Sequence, residues 1–91
     1  MKVRPAAVAG SFYPDDPDDL VELVDGLLAA AVLPRDAVAA TASTAGGLAG
    51  GLAGILVPHA GLVYSGLVAA VAWRLAATVE PTTIVLLGTN H

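Results

Sequence analysis

The sequence predicts an α/β fold, a parallel βαβ unit preceded by an amphipathic helix. Apolar residues recur at helical spacing between Leu20 and Ala31. Two short apolar runs, "GILVP" and "PTTIVLLG", flank a long apolar stretch with helical periodicity. Strand, helix and strand together fill roughly 35 residues, the size of a parallel crossover, and a right-handed connection is the default.

Residues 5–14, "PAAVAGSFYP", read as an irregular or briefly extended segment, because Gly10 and two flanking prolines oppose a helix. Phe12 and Tyr13 are expected to anchor it to a core. Asp16 followed by Pro17 is a helix start. The carboxylate can accept free amides of the first turn, proline suits the first helical position, and Asp18 and Asp19 complement the positive end of the dipole. Leu20, Leu23, Val24, Leu27, Leu28 and Ala31 then share one face, with Glu22, Asp25 and Gly26 opposite, and Pro34 marks the end.

Residues 35–53 are a low-complexity linker whose short side chains fill little core volume. "GILVP" lacks alternation, as in a strand covered on both faces, and Pro58 stops its pairing on the donor side. Tyr64 to Val79 is expected to be a largely buried helix capped by the Ser65 hydroxyl, with Leu67, Val68, Val71, Leu75 and Val79 on one side. Thr82 to Leu87 supplies the second β-branched run.

Composition narrows the function. The 91 residues suffice for one small domain or less; 56% are hydrophobic and only 13% charged, which excludes disorder. The net charge of −4 leaves no basic patch for a phosphate backbone, so no nucleic-acid partner is expected. With no cysteine, any metal must be held by nitrogen or oxygen. Lys2 and Arg4 mimic the start of a signal peptide, but Pro5 follows at once and "AAVAG" is too short for its apolar segment, so no cleaved signal is expected. No charged residue stands between Asp36 and Arg74, which raises a membrane-associated segment as a third and remote function class. Glycines 50, 51 and 54, with Pro58 and His59 at mid-stretch, argue against a span. A cytoplasmic protein without a membrane partner is the expectation.

Ligands of open parallel sheets collect outside the carboxyl ends of the strands, where both histidines fall. His59 follows the first strand across Pro58, and the turn opened by Gly88 carries "TNH" outward to His91. Neighbouring strands stand about 4.8 Å apart, so two imidazoles on adjacent loops can reach one ion. The plainer alternative is that each imidazole only hydrogen-bonds a carbonyl.

"RPAAVAGSFYP", "VPHAGLVYSG" and "VLLGTNH", in this order, resemble the start of the Memo family, whose bacterial members include AmmeMemoRadiSam system protein B. The resemblance spans most of the chain outside the linker. It implies a larger α/β domain similar to the class III extradiol dioxygenases, of which residues 1–91 would be the N-terminal part, with His59 and His91 as ligands of a divalent metal, iron(II). Leu62 stands where the family commonly has tyrosine, and a third ligand would lie further along the chain. The family name also implies a functional link to a radical SAM enzyme.

Two function classes stand open on these residues. As a non-haem iron oxidoreductase, the chain would contribute two imidazoles to an ion with open positions for oxygen or substrate. As a non-catalytic module, the same cleft would bind metal or a peptide, since fold does not fix activity. Tyr64, Ser65 and Asn90 are the candidates for contacts to substrate or to a ligating histidine. Their structural alternatives are a core ring, a helix cap and a turn former.

Overall fold

The computed structural model describes residues 2–36 and 52–91. Two helices lie wholly in that part, α1 (Pro17–Ala30) and α2 (Leu62–Ala77). The start of α1 follows the sequence closely. One Asp16 carboxylate oxygen accepts the amides of Asp18 at 2.9 Å and Asp19 at 3.0 Å, and Pro17 opens the first turn. Leu20, Leu23, Val24, Leu27 and Leu28 are half-buried and Ala31 is buried, while Glu22, Asp25 and Gly26 face solvent. The periodic face is therefore the packed one.

Helix α2 begins two residues earlier than its sequence suggests. Gly61 is the N-cap and makes no side-chain cap bond, so Ser65 lies within the helix and is not its cap. Its buried hydroxyl instead donates to the Ala60 carbonyl at 3.0 Å. At the other end, the Thr78 hydroxyl donates to the Leu75 carbonyl, and Glu80 adopts a left-handed φ of 48° just before Pro81. The helix is much less covered than expected: Ser65, Gly66 and Ala70 are buried, whereas Val63, Tyr64, Leu67 and Val68 face outward. An apolar helix can be buried only against an opposing layer, and α1 covers one side alone.

The two helices meet at their small residues. A methyl group added at Gly66 would stand 2.7 Å from Leu27 Cδ1, so the glycine lets the two helices approach without displacing that side-chain tip. Ala31 and Ala70 complete the close-packed patch. The last turn of α1 has no basic residue, and Arg74 of α2 donates to the carbonyl of Ala31, just past that helix's C-terminus. Beside the patch lies a cleft of about 730 Å³ lined by Leu27, Leu28, Leu62, Ala69 and Trp73.

The expected βαβ unit is realised only in its helix. Among the described residues, no strand forms from "GILVP" or from Thr82–Leu87, and no backbone hydrogen bond joins the two runs. They do line one cavity of about 500 Å³, Ile55 and Val57 on one run and Ile84 and Leu86 on the other, with Trp73 and Ala76 of α2. Leu56 is 98% and Leu87 94% exposed. Two strands uncovered on one face lack the burial that would offset ordering a ladder. Of the expected linker over 35–53, Arg35 and Asp36 are helical, and residues 37–51 lie outside the described residues.

Candidate functional site

The N-terminal segment is a tight hydrogen-bonded loop. The Ser11 and Phe12 amides donate to the Val8 carbonyl at 3.1 and 2.9 Å, and Gly10 donates to the Tyr13 carbonyl at 2.7 Å. Gly10 sits at φ 85°, a conformation side-chain-bearing residues rarely adopt. The loop docks on the start of α2, where the Leu62 amide donates to the Phe12 carbonyl at 2.8 Å. Gly61 lies against the same carbonyl, with an added Cβ at 3.5 Å.

These contacts hold the turn that carries His59. Its following residue, Ala60, accepts the Ser65 hydroxyl, and the next, Gly61, accepts the Tyr64 and Ser65 amides at 2.9 and 3.1 Å. His59 thus leads directly into a turn fixed from both the helix side and the N-terminal side. His91 arrives from the other run. The two imidazole centroids stand 6.0 Å apart with planes inclined at 50°, and both residues are exposed. The Phe12 ring lies 5.1 Å from that of His91, inclined at 56°. One imidazole therefore faces a second imidazole and a phenyl ring.

The other expected site residues divide. Asn90 is adjacent, and its side-chain oxygen accepts a hydrogen bond from the Arg4 guanidinium. Ser65 acts on the His59 turn from below. Tyr64 is 86% exposed, which removes the core-ring alternative for it. Arg4 and Phe12 also belong to the neighbourhood, where the sequence alone predicts a core anchor for Phe12 and no site role for Arg4. The available signal was their membership in "RPAAVAGSFYP", one of the three motifs that carry the resemblance. Among the described residues, no group of three or more histidine, cysteine, aspartate or glutamate side chains is placed to share an ion. Nor is any described helix long and apolar enough to cross a membrane.

The sequence model of one family, described as Memo-like protein, matches residues 4–91. The chain belongs to the Memo family. Similar proteins carry the same family name: the MEMO1 family protein of Ignicoccus hospitalis is 39% identical over the whole chain. Those of Desulfurococcus amylolyticus and Aquifex aeolicus are 40% and 38% identical, again over the whole chain. The chain spans 31%, 31% and 28% of the lengths of these three Memo relatives. No solved structure gives a significant match to this Memo-family chain.

Proposed function

We propose that this Memo-family chain binds a divalent metal, iron(II), through His59 and His91 in a dioxygenase-like cleft. The observation that carries the proposal is the meeting of two exposed imidazoles from separate segments, with centroids 6.0 Å apart. An imidazole centroid lies roughly 3 Å from an ion held by its nitrogen, so two rings on one ion stand at most about 6 Å apart. The pair sits at that outer limit; a tetrahedral arrangement needs the rings to close by about 1 Å, and adjacent positions of an octahedron by about 1.5–2 Å. Both are on exposed segments that permit it.

The donor set is chemically suited to the ion. Neutral imidazoles are good ligands of iron and zinc, and two such ligands leave room for a third donor and for open positions. A third donor would come from beyond the described residues. When bound, iron(II) supplies Lewis acidity and a coordination site for oxygen or substrate. The chain's own task is to hold the two nitrogens converged. The hydrogen bond from Ser65 to Ala60 fixes the His59 turn, and the Phe12 ring limits the swing of His91.

Titration with cobalt(II), read by its visible absorption, tests the proposal. His59→Ala and His91→Ala should each remove the imidazole-bound cobalt spectrum while leaving the helical signal unchanged, because both residues are exposed. Variants that keep the wild-type spectrum and affinity would leave the two imidazoles as hydrogen-bonding groups only.

A further inference from the structure

We infer that Arg4 is a positioning residue for His91, acting through Asn90; its role toward metal rests on the reading above. The final run is held by very little. Between described residues, no backbone hydrogen bond reaches residues 82–91, all of these residues are exposed, and Gly88 has nothing within 4 Å of an added Cβ. Two contacts fix where this run ends. One is the Phe12 ring against the His91 imidazole, and the other is the Arg4 guanidinium donating to the Asn90 side-chain oxygen.

The two contacts differ in what they can specify. A tilted ring contact limits how far the imidazole swings but tolerates sliding. A charge-assisted hydrogen bond to the preceding side chain places that residue more tightly, since such a bond is short and directional. Arg4 and Phe12 also lie on one short segment whose far end is tied to Leu62, the first residue of α2. The same segment therefore touches both halves of the histidine pair. His91 is set relative to His59 through the N-terminal segment, without a strand ladder between the two runs.

The test uses proton NMR and cobalt(II) titration of the same variants in the full-length protein. In the parent chain, ring-proton cross-relaxation should connect Phe12 with His91. Arg4→Ala should weaken that signal severalfold, and cobalt affinity should fall about tenfold, the lower end of what outer-sphere partners of a metal site cost. Asn90→Ala, at an exposed position that cannot unfold the helices, should do the same. The double variant should be no worse than either single one, since both remove one interaction. Arg4→Lys, which keeps a donor, should restore part of both readouts. Arg4→Ala with an unchanged Phe12–His91 signal, or two single effects that add in the double variant, would overturn the inference. The ring signal needs no metal. Loss of that signal in Arg4→Ala, together with cobalt binding that survives His59→Ala and His91→Ala, would sustain the positioning role and refute the metal reading instead.

Discussion

Two glycines in different helices separate intrinsic helix propensity from packing. Gly26 lies mid-way along α1, exposed, with nothing within 4 Å of an added Cβ. Gly66 lies in the first half of α2, buried, where the same atom would stand 2.7 Å from Leu27 Cδ1 and 3.5 Å from Leu62 Cβ. Replacing either by alanine gains about 1 kcal/mol of helix propensity. At position 26 nothing opposes that gain, so Gly26→Ala should stabilise by about 1 kcal/mol. At position 66 the methyl must win about 1 Å to reach an ordinary contact. The atom in its way is the tip of a flexible side chain, and the cleft beside it has room, so the cost lies near the low end of the ~1–3 kcal/mol range for overpacking. Gly66→Ala should come out close to neutral, and Gly66→Val, which is bulkier and β-branched, should destabilise by about 2–3 kcal/mol. Urea unfolding followed by far-ultraviolet circular dichroism measures all three. A Gly66→Ala variant as stabilised as Gly26→Ala, within about 0.3 kcal/mol, would refute the close approach of the helices.

Asp16→Ala should destabilise α1 by about 1 kcal/mol, because the amides of Asp18 and Asp19 lose their acceptor, and Asp16→Ser should recover most of it; thermal melts of the helical signal give the comparison. Ser65→Ala removes the hydroxyl that ties α2 to the carbonyl after His59. The expected result is a loss of about 1 kcal/mol in urea unfolding, with a drop of severalfold in cobalt affinity, and an unchanged affinity would detach Ser65 from the site.

The local elements were legible where a single stretch contains all of the physics. Asp16 and Pro17 announce a helix start through their own side chains, and the face from Leu20 to Ala31 is defined by spacing alone. The start of α2 was misplaced because its boundary is set by a backbone contact, the Leu62 amide on the Phe12 carbonyl, that no local signal predicts. Ser65 is a frequent cap by type, yet one turn further in it becomes a donor to a preceding carbonyl. The two apolar runs have strand composition, but β propensity reflects packing on a half-buried surface, and Leu56 and Leu87 are almost wholly exposed. His59 and His91 were expected to meet because they follow two adjacent parallel strands; among the described residues no such strand forms, and the two rings stand 6.0 Å apart without one. The site roles of Arg4 and Phe12 were not legible, because they depend on how the first residues fold back across the chain.

The two halves of the histidine pair differ in how firmly they are held, and that decides where the cost of assembling a metal site falls. His59 directly precedes a turn locked by Ser65, by the opening amides of α2 and by the docked N-terminal loop, so the backbone on its C-terminal side is ordered by folding itself. His91 ends a run with no ladder, tied by one side-chain hydrogen bond and one ring contact. Ordering a residue's backbone costs about 1–2 kcal/mol, and on the His59 side that cost is already met by folding. On the His91 side it is met only in part, so under the proposed metal reading binding free energy would be spent on bringing the run into place. Contacts that order residues 82–91 in advance would then raise metal affinity without touching the ion. Further contacts to His59 bring little, since its turn is already fixed. Arg4 reaches the less ordered half, which is why a single exposed hydrogen bond can matter more to the site than to the stability of the fold.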